Sequence, residues 1–277
     1  MTVKLVADCS ANICKKITLP ISYVPLKIVT NEKEYVDNEA LDVPEMLREL
    51  KAYKGTSGTA CPGVQDWLTA FEGADTVFAV AITSGLSGSY NAGMVAVNEF
   101  KESHPDAQVF LLDSLSAGPE LELILEKYEE LVSAGLDFDG VVSGIREYTH
   151  HSHILFSLAS VDNFVKNGRI NPLLGKAIGL LGLRILCKGS DEGTIQPVHK
   201  SRGEKKALEQ LFASLKDAGY KGGKVRIAHT LNEAGAAALQ TMILSEFPNA
   251  DVSVNINRGL CAFYSETGGI LVGFEDL

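Results

Sequence analysis

Val77-Phe78-Ala79-Val80-Ala81-Ile82, followed by Thr83-Ser84-Gly85-Leu86-Ser87-Gly88-Ser89 and then Tyr90-Asn91, is the stretch on which the fold turns. Six apolar residues, mostly small or β-branched, read as a strand buried on both faces, as in a parallel sheet. The apolar spacing of Ala92, Val95, Ala96 and Phe100 predicts a helix after it. The hydroxyl and glycine cluster between them is then a strand-to-helix turn. In an open α/β sheet such turns lie at the carboxyl ends of the strands, where ligands collect and the next helix offers free N–H groups to an anion. Ser84, Ser87 and Gly88 are what an anionic head group would use there. The same residue types also cap ordinary helices and make ordinary turns.

Working outward, the chemistry recurs. Val3 to Ala7 reads as a buried strand ending in Asp8-Cys9-Ser10-Ala11-Asn12, and Ile21 to Val29 as a second strand. Thr56-Ser57-Gly58-Thr59-Ala60-Cys61-Pro62-Gly63 reads as a hydroxyl and glycine loop feeding a helix. Val109 to Leu112 is a short strand ending in Asp113-Ser114-Leu115-Ser116-Ala117-Gly118. Strands with such ends, separated by helical patterns, predict a parallel α/β sheet flanked by helices, with one ligand-facing edge. After His150 the alternation changes. A strand from Ile154 to Ser157, a glycine-spaced apolar segment from Leu173 to Leu183, and a hairpin turning at Ser190-Asp191-Glu192-Gly193 predict an α+β second domain with helices on one side. The expected division is 1–150 and 151–277, with a ligand in the cleft between.

Composition narrows the function. The 277 residues include 45% hydrophobic and 22% charged residues, an ordinary globular balance. A formal net charge of -10 speaks against a nucleic-acid surface. No apolar run approaches the ~18 residues of a membrane span, so no membrane insertion is expected. The opening Met1-Thr2-Val3-Lys4 lacks a signal-peptide pattern, and five scattered cysteines form no CxxC pair. Together these predict a cytoplasmic protein without a disulfide framework or a metal site.

Gly85-Leu86-Ser87-Gly88-Ser89 nearly matches the GxSxG nucleophile elbow, with His199 and His229 downstream, so a serine hydrolase using Ser87 is the enzyme alternative. Cys61 is either a nucleophile beside a helix N-terminus or a small apolar filler. His150-His151-Ser152-His153 suits a surface or capping role better than a metal, because three neighbouring loop residues do not converge easily. No phosphate-loop or dinucleotide motif occurs, and no cofactor is expected. Arg202, between a strand end and a helix start, either binds an anion or faces solvent.

Taken in order, these motifs resemble the DegV family, which includes bacterial fatty-acid-binding proteins that present acyl chains to a fatty acid kinase. Ala7-Asp8-Cys9-Ser10-Ala11 resembles the family's DSTAD-type loop, Thr59-Ala60-Cys61-Pro62-Gly63 its TSQPS loop, and Thr83 to Asn91 its SSGLSGTYN turn. Asn167-Gly168-Arg169-Ile170 resembles the GGRI segment, and His199-Lys200-Ser201-Arg202 the arginine segment after the hairpin. The resemblance implies a non-catalytic protein holding a long-chain fatty acid in an apolar tunnel between two domains. It implies that Thr59 and Ser87 hydrogen-bond the carboxylate, and that Arg202 belongs to the head-group end or to the handover surface for the kinase. Glu266, in Ser265-Glu266-Thr267-Gly268, stands where the family carries a head-group histidine. A glutamate there repels a bound carboxylate unless it is protonated, turned away or paired with Arg202.

Overall fold

The computed structural model describes residues 2–12, 17–170 and 183–277. The first half of the chain holds β1 (Val3–Asp8), β2 (Ile21–Val24), β3 (Lys27–Thr30), β4 (Glu34–Val36), α1 (Val43–Ala52), β5 (Ser57–Ala60), α2 (Val64–Phe71), β6 (Thr76–Ala81), α3 (Ser89–Ser103), β7 (Gln108–Asp113), α4 (Pro119–Ser133) and α5 (Phe138–Tyr148). The second half holds β8 (Ser152–Leu158), α6 (Asp162–Lys166), β9 (Leu183–Gly189), β10 (Ile195–Arg202), α7 (Glu204–Asp217), β11 (Lys224–His229), α8 (Glu233–Glu246), β12 (Asp251–Ile256), α9 (Gly259–Ser265) and β13 (Ile270–Glu275). Of the apolar segment expected from Leu173, only Leu183 lies within the described residues.

The expected parallel sheet is present, in the order β2-β1-β6-β7, and β6 is buried along its whole length. Side chains alternate across a strand, so β6 feeds two cores. Val77 and Ala79 meet Trp67, Phe71 and Phe100 of α2 and α3. Phe78 and Val80 meet Leu121, Leu125 and Tyr128 of α4 and Ile145 of α5.

Two expectations here need correction. The strand expected from Ile21 to Val29 is broken at Pro25, which has no N–H for a ladder. The chain leaves the parallel sheet there and enters β3. The Thr56–Gly63 segment is also more than a loop: Ser57–Ala60 forms β5, paired antiparallel to β3 with Thr59 opposite Ile28, and β4 completes a three-stranded sheet.

The second main sheet runs β10-β9-β8-β13-β11-β12, antiparallel except for β11 with β12. On one face α7 and α8 bury Leu211, Leu215, Leu239 and Ile243 against Val225, Ile227 and Val272. Helices were expected on that side alone, but α4 covers the other face. Gly273 of β13 permits this, because a Cβ there would lie 2.6 Å from the Glu120 nitrogen and the Pro119 carbonyl carbon. The strands of the parallel sheet precede His150 and those of the six-stranded sheet follow it, while α4 packs against both. No helix among the described residues is long and apolar enough to cross a membrane.

Candidate functional site

The carboxyl ends of β1, β6 and β7 come together as the parallel topology requires. Asp8, fully buried at the end of β1, accepts the Ser10 N–H (3.1 Å) and Ser10 hydroxyl (2.5 Å) on one oxygen. The other oxygen accepts the Ile82 N–H (3.0 Å) and the Ser89 hydroxyl (2.7 Å). Burial raises its pKa, and the hydrogen bonds offset this in part. Asp8 thereby fixes both ends of the Thr83–Gly88 turn. Across the turn lies the tip of the β9–β10 hairpin. The Thr83 hydroxyl donates to the Gly193 carbonyl at 2.8 Å, and a Cβ at Gly85 would stand 2.8 Å from the Glu192 carbonyl oxygen.

Beneath the turn and the hairpin tip lies a cavity of about 330 Å³, walled by Leu26, Ile82, Phe156, Leu158, Phe164 and Leu271 among others. Small-molecule sites are typically ~300–1,000 Å³. Its polar residues cluster. The Thr59 Oγ1 is 2.8 Å from the Tyr264 hydroxyl, and a Cβ on Gly88 would sit 3.2 Å from the Cys61 sulfur. Arg169 donates from Nε to the Leu86 carbonyl at 3.2 Å, beside Ser87. Among the described residues, Arg169 is the only charged side chain lining the cavity.

Other hydroxyls on the wall are committed. Thr83 donates to Gly193, Ser116 to Glu120 (2.5 Å) and Ser265 to the Cys261 carbonyl (2.6 Å). Ser87 only accepts, from the Ser89 N–H at 3.3 Å, so its proton is free to serve a ligand among the described residues. Gly88, the N-cap of α3, adds the helix N-terminus to this end.

Thr59, Ser87 and Gly88 therefore line the cavity, whereas Ser84, Arg202 and Glu266 do not. Ser84 is exposed, its N–H given to Asp113 (3.0 Å). Arg202 is exposed at the far end of β10, opposite Leu183. The hairpin tip is what reaches the cavity, and at ~3.3 Å per strand residue Arg202 lies roughly 23 Å from Ile195. Glu266, at the end of α9 with φ 52°, accepts the Ser160 hydroxyl (2.8 Å) and the Asn163 N–H (3.1 Å). Burial raises its pKa. Of the three ways to avoid repelling a carboxylate, Glu266 is turned away.

Cys61 is exposed and lines the cavity, so of its two readings that of a buried filler does not hold. His151 and His153 both reach Asp276, at 2.8 and 3.0 Å, and so hold the last residues of the chain. Neither His199 nor His229 lines the cavity, and no histidine or carboxylate does so among the described residues, so Ser87 has no general base there. Arg169 and Tyr264, the cavity residues that bond to the Ser87 turn and to Thr59, were given no role from sequence. Arg169 stood within a quoted motif. Tyr264 carried no signal, since an aromatic in a short helix reads as core.

Fold and site define a class: an α/β protein with two main sheets and a small third one, around an apolar cavity whose polar end is built of hydroxyls and a helix N-terminus. The chain belongs to the DegV family; the family model described as "Uncharacterised protein, DegV family" matches residues 2–275. A DegV domain-containing protein of Streptococcus pneumoniae (strain ATCC BAA-255 / R6) is 41% identical over 279 residues, covering 99% of both chains. Among solved structures, the Streptococcus pneumoniae fatty acid kinase (Fak) B3 protein loaded with linoleic acid matches with a TM-score of 0.97 and 40% identity, covering 100% of both chains. A DegV family protein from Eubacterium eligens loaded with heptadecanoic acid matches with a TM-score of 0.96 and 39% identity, over 99% of this chain and 100% of that one.

Proposed function

We propose that this protein binds a long-chain fatty acid, with its tail in the apolar cavity and its carboxylate on Thr59 and Ser87, and presents it to a fatty acid kinase without doing chemistry itself. The observation that carries this reading is a largely apolar cavity wall that also carries the paired hydroxyls of Thr59 and Tyr264 and the Ser87 hydroxyl, whose proton has no partner among the described residues. Two relatives of closely similar structure hold fatty acids. Burying about fifteen methylenes at ~0.8 kcal/mol each contributes on the order of 12 kcal/mol before the costs of binding. A hydroxyl bonded to a carboxylate adds roughly 1.5–3 kcal/mol. The tail supplies affinity and the hydroxyls supply orientation. Arg202, exposed with Lys205 and Lys206 nearby, suits the handover surface, and the unpaired cysteines among the described residues suit the cytoplasm.

Mass spectrometry of the purified protein, native and then denatured, tests the reading. An adduct of fatty-acid mass released on unfolding is expected; no adduct together with no uptake of added oleate or palmitate overturns it. The head-group assignment has its own test. Thr59→Val combined with Ser87→Ala is expected to weaken palmitate by more than about tenfold, and an unchanged affinity places the carboxylate elsewhere.

A further inference from the structure

We propose that Tyr264 makes this cavity prefer an ionised acyl carboxylate over a neutral head group, by holding the Thr59 hydroxyl proton toward the ligand. The inference rests on the fatty-acid reading and deepens it.

The position of the phenol is set from several directions. Asp37, buried, accepts the Gly259 and Leu260 N–H groups at 3.0 and 2.8 Å and so pins the start of α9. The Tyr264 ring stacks on Phe164 (centroids 4.8 Å apart, planes at 25°) and meets Phe263 edge-on (5.0 Å, 75°). Its hydroxyl thus arrives 2.8 Å from the Thr59 Oγ1, which the pairing of β5 with β3 holds from the other half of the chain.

Two hydroxyls share two protons, and one is used within the pair. A phenol O–H is more acidic than an aliphatic alcohol O–H, so Tyr264 is the better donor of the two. With Tyr264 donating to Thr59, the Thr59 proton is left for the cavity. An oxygen that accepts one hydrogen bond donates a stronger one. A carboxylate gains more from such a donor than an ester carbonyl does, because charge-assisted bonds are about twice as strong as neutral ones. Glu266, bonded to Ser160 and Asn163, does not compete for this place.

The test is Tyr264→Phe, which keeps the ring against Phe164 and Phe263 and removes only the hydroxyl. Binding of palmitate and of methyl palmitate is measured by calorimetry for wild type and variant. Palmitate is expected to weaken about tenfold and the ester by no more than about twofold. Thr59→Val with Tyr264→Phe is expected to bind palmitate no worse than Thr59→Val alone, since Tyr264 acts through Thr59. Equal losses for acid and ester, or a lowered Tm with an unchanged acid-to-ester ratio, reduce Tyr264 to a packing contact and overturn the proposal. Additive losses in the double variant overturn the relay. Wild-type protein that takes up neither compound overturns the fatty-acid reading, and this proposal with it.

Discussion

Asp8 is the residue on which the site's geometry depends, although it lies outside the cavity wall. Its four hydrogen bonds tie the end of β1 to Ile82 and to the first turn of α3. In Asp8→Asn the amide nitrogen cannot accept from these donors, and the loss at acid pH is expected to be about 2 kcal/mol. The pH dependence has a definite sign. Burial raises the folded-state pKa, so between the unfolded value and that raised value the folded protein holds the extra proton. The contribution of Asp8 to stability is then greatest below the unfolded pKa and falls as pH rises through the folded one. The gap between wild type and Asp8→Asn should therefore narrow from acid to neutral pH in urea unfolding; a gap that widens contradicts the account. The motif Asp8-Cys9-Ser10 was visible in the sequence as a polar cluster at a strand end. That Asp8 supports the ligand loop from behind was not, because its Ile82 and Ser89 partners lie at the end of β6 and the start of α3, more than seventy residues further along the chain.

At the scale of elements, the β9–β10 hairpin is the part most finely fitted. Gly193 has φ +69°, and a Cβ there would lie 2.0 Å from the Thr83 Oγ1. Gly193→Ala should both strain the backbone and displace the Thr83 bond to its carbonyl, together about 2 kcal/mol or more. A lower Tm and faster release of bound fatty acid in a displacement assay are expected; wild-type values for both would mean that the tip does not close the cavity. Ser190-Asp191-Glu192-Gly193 was legible as a turn because its residue types make one locally. Its landing place on Thr83 and Gly85 is a contact between distant segments. For the same reason β5 passed for a loop: its ladder partner β3 is separated from it by β4 and α1.

Over the whole molecule, α4 is the shared element. Its apolar residues serve the parallel sheet, and its buried glutamates face the six-stranded one. Glu126 accepts two bonds of 2.7 Å from Arg226 of β11, which also reaches Asp251 at 2.8 Å. Burial works against the Arg226 charge, and the two carboxylates outweigh it and raise its pKa. Arg226→Ala leaves Glu126 buried without its main partner and should cost about 3–5 kcal/mol. Arg226→Met with Glu126→Leu should recover most of that loss in chemical denaturation. A double variant as unstable as the single one would show that the joint depends on the ion pair itself.

By itself the sequence determined the parallel α/β core, its ligand-facing edge and the hairpin, and it marked the turn that holds Ser87 and Gly88, while the role of Thr59 was implied by the family resemblance. The core, edge, hairpin and turn depend on burial of a strand on both faces, on helical spacing and on turn chemistry, all of which are written in neighbouring residues. Only the tertiary structure decided that Thr59 meets Tyr264, that Arg169 and not Arg202 lines the cavity, and that Glu266 turns toward Ser160 and Asn163. Each of these is a side-chain direction at the end of an element. Such directions are set by how β5, β10 and α9 are pinned to segments far away in the chain, and no local pattern of residues encodes that.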